Sequence, residues 1–324
     1  MGDLSGITGE AAWLDGRFLP RGAFAVPAGD AGFVYGATVT EQLRTFRGRL
    51  FLPQPHVERL ENSLRLVGLA PAATLAGIMA AADRLTDHNH AVLAGATPGC
   101  EPPPDLGLVI FVTAGDLAAQ HGGRAGPPRV GMHTFPLAFG LWAAAYERGV
   151  ILRSVSVRQV PEACWPLAAK VRSRLHYFLA DKEAAAAEPG ARAILAHVDG
   201  RISETSTANL AMVRGGRILT PPAGDALPGV SLAFARGLAE RLEIPWEERS
   251  LAAADLVVAE EILLTSTPSC ILPATRFDGR PVGPGRPGPV FRRLLEAWSE
   301  SVGIDIALQA RHHAVDSTSD PPAC

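Results

Sequence analysis

The chain has 324 residues, of which 47% are apolar and 19% charged, and its formal net charge is −3 at pH 7. This length leaves room for two mixed domains with sizeable cores, and the charge excludes the strongly basic surface of proteins that bind nucleic acid or membranes. The N-terminus lacks a signal-peptide pattern, and no stretch approaches the roughly 20 apolar residues of a membrane span. Four cysteines without paired spacing fit reduced thiols, so we expect a cytoplasmic protein.

The first half predicts strands followed by helices. Asp15-Gly16 is a hairpin turn signal between two short strands, and a second hairpin spans 41–52. Apolar residues at helical spacing predict helices over 56–67 and 75–85. A continuous apolar run predicts a buried strand over 105–113.

Strands and helices continue in the second half. The predicted elements are a strand over 150–157, a helix over 173–187, strand pairs turning at 199–200 and 214–217, a helix over 231–241, a strand over 262–265 and a helix over 290–302. This order is typical of an α/β or α+β chain with two mixed domains. We predict an N-terminal domain over 1–134, a connection over 135–148, a C-terminal domain over 149–310 and a disordered tail over 311–324.

Two local patterns favour structural rather than functional interpretations. Asp87-His88-Asn89-His90 has metal-ligating side chains, but further ligands are lacking nearby, so we interpret it as a solvated turn and predict no metal site. The 283–288 segment matches the dinucleotide formula G-x-G-x-x-G. It contains two prolines and has no room for a βαβ unit, so it indicates a loop.

Lysine is almost absent from the chain. Of the 30 basic residues only Lys170 and Lys182 are lysines. A primary amine forms a Schiff base with a carbonyl and a guanidinium does not, so a lysine retained among arginines is a candidate for covalent chemistry. Lys182 lies between acidic residues in a predicted helix, which is typical of an exposed charge. Lys170 is therefore the candidate catalytic residue.

A lysine that binds a carbonyl cofactor needs partners for the cofactor's ring nitrogen and phosphate. Glu204 offers a carboxylate for the ring nitrogen, and Asn209 nearby is interpreted as structural. The 227–231 segment, Leu-Pro-Gly-Val-Ser, places a glycine turn and a hydroxyl at a predicted helix start, where anions bind. Hydroxyls of the 265–267 run and the guanidinium of Arg59 are further candidate ligands.

In this order the segments resemble the fold-type IV pyridoxal-phosphate enzymes, which include branched-chain aminotransferase, D-amino-acid aminotransferase and aminodeoxychorismate lyase. The N-terminal pattern of that family is an acidic turn, an aromatic-Gly pair, a glutamate and then His-x-x-Arg-Leu. It corresponds here to 30–36, Glu41 and 56–60. The resemblance covers nearly the whole chain. It implies two mixed domains with the active site in the cleft between them.

The resemblance also implies a role for each candidate. Lys170 would form the Schiff base with pyridoxal 5′-phosphate and move the proton during transamination of an amino acid and a 2-oxo acid. The cofactor-binding residues would be Glu204 at the ring nitrogen, Leu227 against the ring, and Arg59, Val230, Ser231 and Thr267 at the phosphate, with Ser266 beside them. Phe33 and Tyr35 would line the substrate pocket. A loop from a second subunit completes the family's active site, so a homodimer is implied.

Departures from the family pattern leave the substrate open. Ala114 stands where several relatives place an arginine for the substrate carboxylate, and Ala211 and Leu232 replace an aromatic and a basic residue. Glu41 resembles the aminotransferases rather than the lyase. The spacing from Lys170 to Glu183 instead resembles that of the D-amino-acid and lyase branches. We predict transamination, with a pyruvate-eliminating lyase or a pyridoxal-phosphate-binding homologue of low activity as the alternatives.

Overall fold

The computed structural model describes residues 3–96 and 104–314. Tertiary contacts divide this part of the chain into two compact units. The first runs to Leu137 and includes the short segment Ala169–Ser173. The second consists of Ala138–Ala168 and the chain from Arg174 onward.

The described part of the first unit contains an antiparallel sheet. Its strands are β1 (Ala11–Leu14), β2 (Arg17–Pro20), β3 (Thr38–Phe46), β4 (Arg49–Leu50), β5 (Leu106–Thr113) and β6 (Arg129–Pro136), in the order β2-β1-β6-β5-β3-β4. The predicted turn at Asp15-Gly16 joins β1 to β2, and both residues have the positive φ of a tight hairpin turn (46° and 90°).

Two helices, α2 (Pro53–Val67) and α3 (Leu75–Ala96), cover one face of this sheet. The short helix α1 (Ala31–Val34) precedes β3. Alternate residues of β5, namely Leu108, Ile110 and Val112, pack with residues of α2 and α3 in one buried cluster, because successive strand side chains point to opposite faces. The other residues of β5 therefore face away from these helices.

Helix α3 is longer than predicted, and the interpretation of Asp87-His88-Asn89-His90 as a turn is wrong. These residues lie within α3. Asn89 bonds to both the N–H (2.7 Å) and the carbonyl (2.9 Å) of Ala11 on β1, so a neighbouring strand satisfies the amide without a break in the helix. Such a long-range pairing leaves no mark in the local sequence.

The second unit contains a mixed sheet. Its strands are β7 (Val150–Arg158), β8 (Ala191–Ala196), β9 (Ile202–Thr205), β10 (Asn209–Arg214), β11 (Arg217–Thr220), β12 (Trp246–Glu248), β13 (Glu261–Ser266), β14 (Cys270–Phe277) and β15 (Arg280–Pro281). The order is β12-β11-β10-β13-β14-β7-β8-β9, and β15 pairs with β14. Strand β7 is parallel to both β14 and β8, and such pairs require long crossover connections.

Helices of the second unit supply those connections and cover the sheet. They are α4 (Ala145–Arg148), α5 (Leu175–Ala187), α6 (Val230–Arg241), α7 (Ala253–Val257), α8 (Pro289–Val302) and α9 (Ile306–Ala314). Helix α5 links β7 to β8 and buries Ala180 and Ala184 against them. Among the described helices, none combines the length and apolar character that crossing a bilayer requires.

The predicted segmentation differs from the contacts at three places. The 169–173 segment, predicted within the second domain, belongs to the first unit because its backbone pairs with β3. The predicted connection over 135–148 includes the end of β6 and the whole of α4. A disordered tail from 311 is wrong for 311–314, which complete α9, and 315–324 lie outside the described residues.

Candidate active site

Lys170 lies in an extended segment fixed to the first unit from two sides. The N–H of Thr40 on β3 donates to the Lys170 carbonyl (2.8 Å), and Val171 faces Val39 in an antiparallel bridge. The N–H of Lys170 donates to the hydroxyl of Ser63 on α2 (3.1 Å). Because strand and helix both hold the backbone, the half-buried side chain starts from a fixed position.

Beside this segment, a buried cluster joins Glu41 on β3 to His56 and Arg59 on α2. Arg59 donates from Nε to one oxygen of Glu41 (2.8 Å) and from Nη2 to the other (2.9 Å). His56 Nδ1 lies 2.7 Å from the second oxygen. A carboxylate only accepts, so Nδ1 carries the proton. The cluster fixes the plane of the Arg59 guanidinium. Arg59 is the residue that we predicted from the sequence to be a phosphate ligand.

The charges of this cluster are coupled. Burial opposes ionisation of Glu41, but the Arg59 charge and the hydrogen bonds from His56 and Arg59 outweigh it and lower the pKa of Glu41 to about 2. Burial lowers the pKa of His56, and the positive charges of Arg59 and Lys170 also lower it. The hydrogen bond to Glu41 and the charge of Glu41 raise it, but they do not outweigh the lowering. His56 is therefore neutral at pH 7.

The two predicted substrate-pocket residues are exposed: Phe33 lies on α1, and Tyr35 directly follows it. Phe33 is 77% and Tyr35 70% accessible in the chain. Asp30 fixes the start of α1 by accepting a hydrogen bond from the Gly32 N–H (2.7 Å), and its other oxygen accepts from the Thr113 hydroxyl (2.8 Å). Helix α1 thus has a rigid base, and the two aromatic rings extend from it.

In the second unit, Glu204 is a buried carboxylate with two neutral donors. The Tyr177 hydroxyl donates to one oxygen (2.8 Å) and the Asn209 amide to the other (3.1 Å). Burial and the negative charge of Glu204 raise the pKa of Tyr177, so the phenol keeps its proton. Gln159 in turn donates to the Tyr177 oxygen (3.1 Å). Sequence reasoning missed Tyr177 and Gln159, which lie far from Glu204 along the chain.

Asn209 also connects Glu204 to the beginning of α6. Its amide donates to the carbonyl of Leu227 (2.8 Å). A Cβ at position 229 would lie 1.8 Å from Asn209 Oδ1, so the side chain of Asn209 fits only because residue 229 is glycine. Helix α6 begins at Val230, and the N-cap Gly229 provides no side-chain hydrogen bond to its first N–H groups. The helix start keeps its capacity for an anion.

The hydroxyl run lies at the end of β13, next to the same asparagine. Thr265 is paired with Asn209 across β13 and β10. Ser266 shares a hydrogen bond with Ser269 (2.8 Å), and Thr267 is half-buried in the turn to β14. The buried Thr265 hydroxyl has no hydrogen-bond partner within residues 3–96 and 104–314.

The predicted site residues thus form two groups. The first unit brings Lys170 close to the Arg59 cluster, and sequence reasoning missed the parts that His56 and Ser63 play there. The second unit links Glu204, Leu227 and the end of β13 through Asn209. His56 could have been found from its fixed spacing to Arg59 on a predicted helix, whereas Ser63 gave no signal.

Comparisons with known proteins identify the family. The family model described as Amino-transferase class IV matches residues 38–277. D-alanine aminotransferase from Bacillus licheniformis is 28% identical over 89% of this chain and 96% of its own length. The Arabidopsis thaliana branched-chain-amino-acid aminotransferase-like protein 2 is also 28% identical, over 89% of this chain and 50% of its own. The crystal structure of the Escherichia coli branched-chain amino acid aminotransferase has a TM-score of 0.79 and 25% identity, covering 90% of this chain and 94% of that one.

The chain belongs to the class IV aminotransferase family. Its fold is that of the fold-type IV enzymes, and its activity is the pyridoxal-phosphate-dependent transamination of that family. The predictions of family, fold class and reaction are confirmed.

Proposed function

We propose that this aminotransferase uses Lys170 as its catalytic residue and holds pyridoxal 5′-phosphate with the two groups described above. The observation that carries the assignment is the fixed position of Lys170, whose backbone is bonded to both β3 and α2. The other lysine, Lys182, is exposed on α5. In the proposed site Glu204 would hold the ring nitrogen, Leu227 would contact the ring, and the phosphate would be bound by Arg59, Val230, Ser231, Ser266 and Thr267.

The donor set fits this cofactor. The start of α6 lacks a side-chain cap, the Thr265 hydroxyl is buried without a partner among the described residues, and Arg59 adds a fixed positive charge. Such groups suit a phosphate. Glu204 is oriented by Tyr177 and Asn209, and a buried carboxylate suits a protonated pyridine nitrogen.

When bound, pyridoxal 5′-phosphate supplies a carbonyl carbon that reacts with amines and a ring that withdraws electrons. The residues of this chain then orient and move protons. Lys170 Nζ takes the proton from the Cα of the amino acid and returns it later in the reaction. Glu204 keeps the proton on the ring nitrogen, and Tyr177 and Asn209 keep Glu204 in place.

We further propose a small-molecule amino acid and a 2-oxo acid as substrates, a homodimer as the working assembly, and a cytoplasmic location. Relatives are named both as D-alanine and as branched-chain aminotransferases, which supports an amino acid of modest size without fixing its stereochemistry. Free Cys164 and Cys270 fit a reducing compartment.

A substrate panel tests the proposed activity. The purified holoenzyme is incubated with D- and L-amino acids together with 2-oxoglutarate or pyruvate, and products are separated by chiral chromatography. New amino and 2-oxo acids support transamination. Pyruvate released without an acceptor would instead show the lyase, and a cofactor spectrum unchanged by every amino acid would show a binding protein.

A further inference from the structure

Arg172 lies two residues after Lys170 in the same extended segment. Its N–H donates to the carbonyl of Thr38 (2.9 Å), and the bridge between Val171 and Val39 fixes the register. Val39 belongs to the buried cluster under α2 and α3, so Val171 opposite it points toward that side. Since successive residues of an extended chain alternate, Arg172 points to the other face of the sheet.

The contacts of Arg172 confirm this orientation. Its Nε lies 3.4 Å from the hydroxyl of Thr40, and its guanidinium carbon lies 5.7 Å from the centre of the Phe111 ring. Thr40 and Phe111 face each other across β3 and β5 on the side away from the helices. The residue as a whole remains exposed. The guanidinium is therefore positioned by a hydroxyl and an aromatic face while solvent still reaches it.

The spacing suits a small substrate. Residues two apart in an extended segment have Cα atoms about 6.5 Å apart. An amino acid carries its carboxylate carbon about 1.5 Å from the Cα that reacts. A substrate Cα held at the Lys170 amine therefore presents its carboxylate within the reach of a neighbouring long side chain.

The other arginine near Lys170 is already oriented by a different partner. Arg59 gives Nε and Nη2 to the two oxygens of Glu41 and is nine-tenths buried. Arg172 is more accessible than Arg59. Burial lowers the pKa of His133, and the positive charges of Arg21 and Arg172 lower it further. Two positive charges, those of Arg21 and Arg172, therefore act near His133.

We propose that Arg172 binds the α-carboxylate of the amino acid and of the 2-oxo acid, and thereby selects carboxylate-bearing amines over simple ones. This assignment rests on the proposed function of Lys170. A guanidinium pairs with both carboxylate oxygens at once, which fixes the orientation of the Cα–H bond at the lysine.

The test compares four holoenzymes: wild type, Arg172→Gln, Arg172→Lys and Arg17→Gln. Arg17 is exposed at the start of β2, so its replacement controls for the loss of one positive charge. Calorimetry measures binding of propanoate, an unreactive carboxylate, and of the uncharged propanamide. Single-turnover kinetics compare the fastest amino acid of the substrate panel with 2-aminopropane, an amine without a carboxylate.

We expect Arg172→Gln to weaken propanoate binding and raise KM for both acids by about 10- to 100-fold, as for the loss of hydrogen bonds to a charged group. Arg172→Lys should lie between wild type and Arg172→Gln, because it keeps the charge and loses the two-point contact. Both Arg172 variants should react with 2-aminopropane and bind propanamide as wild type does. The Arg17→Gln enzyme should match wild type in every measurement.

Equal propanoate affinity in wild type and Arg172→Gln, including binding too weak to detect in both, overturns the proposal. So does a loss that affects propanamide and 2-aminopropane to the same extent, since that would indicate distortion of the site. A wild-type enzyme that binds propanoate through Arg172 but transaminates nothing in the panel would contradict the proposed function and leave the carboxylate site standing.

Discussion

At the level of single residues, the two buried carboxylates of the candidate site are held in opposite ways. Glu41 is bonded to the guanidinium of Arg59, so its charge is compensated locally. Glu204 is bonded to Tyr177 and Asn209, which orient a carboxylate without cancelling its charge. This difference suits Glu41 to fixing the position of an arginine and Glu204 to stabilising a positive charge on a ligand.

Lys170 is the first residue to test. The holoenzyme should be yellow, and borohydride should fix the cofactor to a peptide that contains Lys170. Lys170→Arg should abolish turnover, because a guanidinium stays protonated and does not bond to the cofactor carbonyl. Lys182→Arg is the matched control and should be active. Mass spectrometry that locates the label at Lys182 would refute the assignment.

Glu204 and its phenolic donor form the second test. Glu204→Gln should keep the cofactor bound but strongly slow the half-reaction with an amino acid, because a neutral amide does not hold the ring nitrogen protonated. Tyr177→Phe removes one hydrogen-bond donor to Glu204 and should slow the half-reaction by about 10-fold. Stopped-flow absorbance measures both rates. A Glu204→Gln enzyme as fast as wild type would show that another group holds the proton.

Tyr177 is a positioning residue, so its effect should depend on Glu204. In the Glu204→Gln background, Tyr177→Phe should cost little further rate. Equal costs in both backgrounds would mean that Tyr177 acts elsewhere, because independent sites are additive.

The Glu41 cluster predicts a pH dependence of stability. The pKa of Glu41 falls from an ordinary value of 4.5 to about 2 in the folded chain. The unfolded chain therefore takes up the proton first as the pH falls, and the stabilisation present above pH 4.5 is lost as the pH approaches 2. Urea midpoints of wild type and Glu41→Gln measured from pH 7 to pH 3 should converge toward low pH.

At neutral pH, Glu41→Gln should be less stable by about 3–5 kcal/mol, because Arg59 is left charged and buried without its carboxylate. Glu58→Gln on the exposed side of α2 controls for the loss of one carboxylate. A gap between wild type and Glu41→Gln that stays constant with pH would contradict the assigned pKa.

At the level of elements, local pattern predicted most strands and helices because their burial follows simple periods. The hairpin pattern over 41–52 located most of β3, a continuous apolar run located β5, and the glycine pair between β10 and β11 marked a real turn. The pairing of 169–173 with β3 was not predictable, since these segments lie about 130 residues apart and nothing local marks the contact. The same holds for the bond from Tyr177 to Glu204.

Chemistry was easier to predict than geometry. The scarcity of lysine singled out Lys170, and the Leu-Pro-Gly-Val-Ser segment indicated the start of α6 within one residue. The side chain that connects Glu204 to this helix, Asn209, was interpreted as structural from the sequence. In the folded chain it bonds to both Glu204 and Leu227.

Gly229 tests that connection at the scale of the helix. Its φ of −74° is available to any residue, so its backbone tolerates alanine. The new methyl would lie 1.8 Å from Asn209 Oδ1, and we expect Gly229→Ala to cost about 1–3 kcal/mol of stability and to weaken cofactor retention. Thermal unfolding and the rate of cofactor release on dilution measure the two effects.

A second glycine of α6 provides the control. A Cβ at Gly237 meets nothing within 4 Å, so Gly237→Ala should be neutral or stabilising by up to about 1 kcal/mol. If the clash with Asn209 is the cause, Gly229→Ala should cost less in an Asn209→Ala background. An undiminished cost there would mean that the methyl meets another obstacle.

At the scale of the whole molecule, the exposed apolar side chains include two groups of neighbouring residues. One group is Phe33 and Val34 of α1 with the adjacent Tyr35, and the other is Leu175, Phe178 and Leu179 of α5. The α5 residues follow the i, i+3, i+4 spacing and therefore share one face of the helix. Clustered exposed apolar surface marks interaction sites in soluble proteins. Both groups are suited to burial against a second copy of the chain.

The homodimer is tested by light scattering on the holoenzyme at assay concentration, where we expect twice the chain mass of 34.1 kDa. Phe178, 64% exposed, is the informative position: Phe178→Glu should shift the assembly toward monomer and lower activity, because a charge on this face resists burial. Val198, in the turn after β8, is also apolar and is 76% exposed, so Val198→Glu should leave both mass and activity unchanged. A wild-type particle of 34.1 kDa with full activity would overturn the dimer, whereas a dimer that survives Phe178→Glu would place the interface on a surface other than the exposed face of α5.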